Sequence, residues 1–216
     1  SCRIVSLTVT EKGYCRGGDG LLDLALAGPG SIYPVIVAGL QARRAAGLPG
    51  VTLLSCDNLA NNGAVLGACL EAYVEAHAPD LSGWLRENVT TPATMIDRIV
   101  PATTDADRAA MAARLGLDDA GMVATEPFSQ WVIEDRFAGP RPRWEVGGAQ
   151  IVGDVASYET AKLRMLNGAH SALAYIGLSA GHDYVHQAMA DPAIRPLNER
   201  IMRDEAKPTI AAGPGQ

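Results

Sequence analysis

Two short apolar runs, residues 3–10 (Arg-Ile-Val-Ser-Leu-Thr-Val-Thr) and 51–56 (Val-Thr-Leu-Leu-Ser-Cys), bracket a helical stretch over residues 31–46. Parallel strands cannot be closed by a tight turn and need a crossover of a dozen or more residues, usually a helix. The run–helix–run order therefore confines this part of the chain to a strand–crossover–strand unit. Both runs are more continuous than alternating in apolar character, as expected for strands covered on both faces. Gly47-Leu-Pro-Gly50 supplies the helix stop. Asp57-Asn-Leu-Ala-Asn-Asn-Gly63 is a polar turn at the end of the second strand, and residues 64–77 follow as a helix. This order is that of a doubly wound α/β sheet.

The pattern continues with a strand expected over residues 91–100 and a helix over 104–115, capped by Thr103 or Thr104. A further strand is expected over residues 122–133, interrupted at Pro127. Residues 11–30 are Gly-rich and read as a loop with a short helical piece. Arg141-Pro-Arg-Trp144 and Gly147-Gly148 read as a hinge, after which the period changes. Residues 157–178, 183–189 and 193–205 all read as helices, and residues 208–216 as a linker-like tail. The boundary is placed near residue 148, between an α/β domain over residues 1–147 and an all-helical part over residues 148–216.

Composition removes several function classes. Apolar residues make up 48% of the 216 and charged residues 19%, enough apolar material for a real core. The formal net charge is -6. The densest basic spots are Arg43-Arg44 and Arg141-Pro-Arg143, too sparse for a nucleic-acid-binding face. No apolar run is long enough to cross a bilayer. None of the four cysteines forms a Cys-x-x-Cys pair, so free thiols in a reducing cytoplasm are expected. The chain is expected to enter its first strand directly, without a leader peptide. His182 and His186 have the i, i+4 spacing of a helical metal pair, but no third ligand follows with suitable spacing, and no metal is expected.

The chemistry-bearing segment is Lys162-Leu-Arg-Met-Leu-Asn167-Gly-Ala-His170. On a wheel of about 100° per residue, with Lys162 at the origin, Glu159, His170 and Asn167 fall at roughly 60°, 80° and 140°. Leu163, Leu166 and Leu173 share that side. Ionisable groups on an apolar face are expensive to bury unless paired or used. A lysine desolvated there would have its pKa pushed down and would suit a general base near neutral pH. The same residues would also suit a buried polar network between packed helices. Ligands of open α/β sheets sit at the carboxyl ends of the strands, which draws Asn58 and Asp97 into view. Asn58 would equally serve as a cap for the following helix, and Asp97 as an ion-pair partner of Arg98.

Six segments in order resemble the polyol-specific long-chain dehydrogenases, the family of mannitol dehydrogenases with fructuronate and tagaturonate reductases. They are residues 5–14 (Val-Ser-Leu-Thr-Val-Thr-Glu-Lys-Gly-Tyr), Ser55-Cys-Asp-Asn-Leu59 with Asn62-Gly63, residues 94–103, residues 126–135 (Glu-Pro-Phe-Ser-Gln-Trp-Val-Ile-Glu-Asp), Asp154-Val-Ala-Ser-Tyr-Glu159, and residues 162–175. The resemblance implies the second part of a Rossmann-like nucleotide-binding domain followed by the start of an all-helical catalytic domain. The family's Gly-x-Gly-x-x-Gly phosphate loop has no counterpart here, which marks the chain as an internal piece of a longer enzyme.

The family interconverts a sugar alcohol and a ketose by hydride transfer with a nicotinamide cofactor, here expected to be NAD with NADP as the alternative. By resemblance Lys162 is the general base, Asn167 and Asn58 donate to the reacting oxygen, and Glu159 relays the proton of Lys162. His170 and Asp97 bind substrate hydroxyls, and Asn62 and Gly63 lie at the cofactor. The expected substrate is a small polyol of mannitol type or a sugar acid. A phosphogluconate-type hydroxyacid dehydrogenase is the nearest competing enzyme, but there the asparagine follows the lysine at i+4, whereas here it follows at i+5. A non-catalytic assembly module is the reading from another class.

Overall fold

The computed structural model describes residues 2–210, so most of the expected tail lies outside the described residues. The chain divides into two compact units, one ending at Val152 and the other starting at Gly153.

The first unit opens with β1 (Ile4–Leu7), a single turn α1 (Thr10–Gly13), α2 (Ile32–Ala45), β2 (Val51–Ser55) and α3 (Asn62–His77). A 3-10 turn at Pro79–Leu81 leads into α4 (Ser82–Asn88), β3 (Val89–Thr90) and β4 (Thr94–Asp97). Then come α5 (Asp105–Leu115), β5 (Gln130–Glu134) and β6 (Gln150–Val152). Strands β1, β2 and β3 form a parallel sheet with β2 in the centre, and Leu7 lies opposite Ser55. Every residue of β2 is buried, Thr52 and Ser55 included, whereas Val5 and Ser6 of β1 are exposed, so the cover expected on both faces holds for the central strand alone. Tyr14, Tyr33, Leu66, Val74 and Leu81 fill the core around it. Burying such a side chain contributes about 1.5–3 kcal/mol.

Of the strand expected over residues 91–100 only β4 is extended, and β3 just before it belongs to the other sheet. Pro92 has no N–H for a ladder, and the chain turns there before β4 pairs antiparallel with β5. Residues 122–129 are irregular rather than extended. The backbone N–H of Glu126 donates to Ile99 and its side chain takes the Ile99 N–H, so the segment serves as a brace for the exit of β4. The expected hinge at residues 141–148 holds a 3-10 turn, Trp144–Gly147, that delivers β6 to the parallel edge of β5. The helix α4 has no counterpart among the sequence expectations. It sends Leu85 into the core beside Leu81.

One close approach is exacting. A Cβ built on Gly63 would lie 2.4 Å from the Thr91 carbonyl oxygen and 2.5–2.6 Å from the backbone of Pro92 and Ala93. Backbone atoms cannot yield as a side-chain tip can. Gly63→Ala should therefore destabilise the protein by roughly 3 kcal/mol. A thermal melt of the variant within a degree or two of wild type would contradict this packing.

The second unit is helical. It contains α6 (Ala156–Ala161), a π-helical turn at Lys162–Asn167, α7 (Gly168–Ser179), α8 (Val185–Ala190) and α9 (Ile194–Arg200). A second π-helical turn, Ile201–Ala206, packs against the first. Leu173, Ala188 and Ile194 form the unit's apolar centre. His182 lies before α8, not on it. Its Nε2 is 3.1 Å from the Asp191 carboxyl, while the His186 ring stacks on Tyr184. The helical i, i+4 pair expected of these histidines does not form, because the chain is still turning at His182. Among the described residues no three metal-ligating side chains converge.

Candidate active site

Within the first unit the polar positions gather at the carboxyl ends of the strands. Asn58 is exposed just beyond β2. It is not the cap of α3, whose cap position is Asn61, held left-handed at φ 53°. The Leu59 N–H donates to the Asp57 carbonyl at 2.9 Å, closing a three-residue turn with Asn58 at its apex. Asp57 is only 6% exposed. One of its carboxyl oxygens accepts the Thr10 N–H at 2.7 Å, the other the Tyr14 hydroxyl at 2.8 Å, and both lie within 3.1 Å of the Val9 N–H. Burial pushes the Tyr14 phenol well above its ordinary range, so it stays protonated and donates.

Asn62 is 0% exposed. Its amide nitrogen donates to the Asp57 carbonyl at 3.0 Å and to the Thr94 carbonyl and hydroxyl at 3.1 and 3.0 Å, while its oxygen accepts the Thr94 N–H at 2.9 Å. A side chain so enclosed has no surface for a cofactor. Gly63 beneath it is also buried, against residues 91–93. The cofactor contact expected of these two residues thus meets a geometry that ties β2 to β4.

Asp97, the last residue of β4, lines a cavity of about 520 Å³ with Cys56, Arg98, Gln130, Trp131 and Arg143. Trp131 packs on Trp144 with ring centroids 5.3 Å apart. Arg98 donates through Nε and NH2 to the Glu126 carbonyl at 3.2 Å. Burial, and secondarily Asp57, pushes the Cys56 thiol up to about 11, so it is not a thiolate nucleophile at neutral pH. Arg143 and Trp144 were not singled out as site residues from sequence, where they read as part of a hinge.

Within the second unit the 100° wheel is wrong in an informative way. Lys162–Asn167 is a π turn, and the Gly168 N–H reaches the Leu163 carbonyl, five residues back. Bonds to i−5 widen the turn, so residues five apart lie nearer to one face than the roughly 140° of an α-helix. The π turn therefore brings Asn167 closer to the side of Lys162 than the wheel places it. Such turns are frequent at functional sites. Lys162, Asn167 and Glu159 are half-buried and His170 is exposed. The apolar enclosure expected around Lys162 is incomplete. Leu163 and Leu166 are 49% and 44% exposed, because the wider turn carries them off the face that Leu173 buries.

A unit with parallel strands and its polar residues at their carboxyl ends, followed by a helical unit, is a Rossmann-type domain joined to a helical C-terminal domain. The chain belongs to the mannitol dehydrogenase family: residues 2–146 match its Rossmann domain and residues 154–216 its C-terminal domain. It is 44% identical to D-mannonate oxidoreductase of Escherichia coli over 98% of this chain and 46% of the relative. It is 40% identical to mannitol 2-dehydrogenase of Aspergillus fumigatus over 99% of this chain and 46% of the relative. Among solved structures it is similar to a substrate-free D-sorbitol dehydrogenase (TM-score 0.93, 36% identity). It is also similar to the Pseudomonas fluorescens mannitol 2-dehydrogenase complex with NAD and D-mannitol (TM-score 0.84, 40% identity). Both similarities cover 99% of this chain and 46% of the other. The chain thus spans about half the length of the relatives it matches.

Proposed function

We propose that the full-length protein interconverts a sugar alcohol and a ketose by hydride transfer with NAD, using Lys162 as the general base and no metal. The observation that supports the reading is the π turn spanning Lys162 to Asn167, in a chain matched to the family over both domains. The residues present suit the nicotinamide end of such a cofactor. The carboxyl ends of β1 and β2 pair at Leu7 and Ser55, and Asn58 and Asn61 are exposed just beyond β2. When bound, the nicotinamide supplies the hydride chemistry.

The protein's own part is proton handling and positioning. Lys162 takes the hydroxyl proton in oxidation and returns it in reduction. Asn167 and Asn58 donate to the oxygen as it becomes alkoxide-like, an interaction stronger in the transition state than in the ground state. Glu159, one helical turn before Lys162, passes its proton to solvent. His170 and Asp97 hold neighbouring hydroxyls. A polyol deuterated at the oxidised carbon should place its deuterium on the reduced nicotinamide. Deuterium recovered only in solvent would contradict hydride transfer.

A sugar acid is the second reading, favoured by one observation. Arg98 and Arg143 line the same cavity as Asp97, and Arg143 is exposed there. A guanidinium beside hydroxyl-binding groups suits the carboxylate of an open-chain hexonate or hexuronate. Arg143→Ala should then lower kcat/KM for mannonate by about 10- to 100-fold, the worth of a charged hydrogen bond, and leave mannitol nearly unchanged. Equal effects on both substrates would remove Arg143 from carboxylate recognition.

A further inference from the structure

We propose that Asp57, together with Tyr14 and Asn62, is a buried bracket whose job is to position the Asn58 amide. The proposal rests on the reading of Asn58 as a donor to the reacting oxygen.

The argument starts at the turn. Asn58 is the central residue of the three-residue turn closed by Leu59 and Asp57, and it is not among the residues of positive φ. The turn is therefore the inverse γ form, common at strand ends. A lone turn of this kind would be free to relax. Here the Asp57 carbonyl, whose peptide bond leads into Asn58, accepts two donors, the Leu59 N–H and the Asn62 amide. Asn62 in turn is locked to Thr94, and the Thr94 hydroxyl donates to the Ser55 carbonyl at 2.6 Å.

The other flank is held as firmly. The Asp57 carboxyl accepts from two successive backbone amides and the Tyr14 phenol, and the Tyr14 oxygen is 2.5 Å from the Ser55 hydroxyl. Thr10, one of those donors, sits at φ 63°. A β-branched residue there is a genuine outlier, and such strain persists only where surrounding bonds over-determine it. Asp57, Tyr14, Asn62, Ser55 and Thr94 are buried, while Asn58 at the tip of the bracket is exposed. An exposed amide on an immobile base needs little reorganisation when charge develops beside it, which is what an oxyanion donor requires.

The bracket makes Asp57 a positioning residue, separable from a purely structural one by coupling. In the full-length protein, Asp57→Asn keeps the shape but turns an acceptor into a donor facing backbone N–H groups. The expected result is a fall in kcat of about 10- to 100-fold, with KM for the polyol and Kd for NADH each within about threefold of wild type. Asn58→Ala should lose a similar factor. The double variant should lose no more than Asn58→Ala alone, because both changes remove one function. Multiplying losses in the double variant would overturn the bracket, since Asp57 would then act through some other group. An Asn58→Ala variant with near-normal kcat would overturn the reading of Asn58 itself. Should Asp57→Asn fail to fold, Tyr14→Phe removes a single bond to the carboxyl while keeping the ring. It should lower kcat about three- to tenfold in the wild-type background and leave it unchanged in Asn58→Ala. A loss in both backgrounds would overturn the proposal.

Discussion

Lys162→Ala in the full-length protein is expected to lower the rate of polyol oxidation by roughly 10²- to 10⁴-fold, the usual contribution of a positioned acid–base group. Its effect on NADH affinity should be small. The side chain is only half-buried, so its removal leaves no large cavity, and the melting temperature should move little. The π turn is defined by main-chain bonds and should survive the substitution. Loss of turnover with the fold and cofactor affinity retained is therefore the signature of lost proton transfer. Near-normal turnover would remove Lys162 from the mechanism, whatever the family likeness.

Asn167→Ala should cost about 10²- to 10³-fold in kcat, as the loss of one donor to a developing oxyanion does. KM should change much less, because the bond strengthens as the hydroxyl oxygen gains charge. The π turn brings the position five residues after Lys162 closer to its face than an α-helix would. In an uninterrupted α-helix the i+4 position, Leu166, would be the one close to the face of Lys162. A change confined to KM would make Asn167 a ground-state contact and leave Asn58 as the donor to examine.

Much of this architecture is legible in the sequence, and the illegible parts share physical causes. Strands β1 and β2 and helices α2 and α3 announce themselves through apolar runs and Gly/Pro stops. Strand β4 is visible, but its separation from β3 depends on Pro92 and on the grip of Asn62 upon Thr94, a contact 32 residues apart in sequence. Strand β6 has three residues and follows two glycines, too little for periodicity to register. The residue types of the candidate site are readable, but the π turn over Lys162–Asn167 is not, since a wheel assumes the very period that the turn breaks. The Asp57–Tyr14 bond joins residues 43 apart. Only the fold shows that Asp57 and Asn62 are both buried beside the exposed Asn58.

The central claim is that the full-length protein is a nicotinamide-dependent oxidoreductase of polyols or their acids. The most direct test follows nicotinamide reduction at 340 nm with mannitol, sorbitol, arabinitol and mannonate in parallel, each with NAD and with NADP. The account expects steady reduction of NAD with at least one of these substrates, lost in Lys162→Ala. A well-folded full-length protein that reduces neither cofactor with any of the four would contradict it.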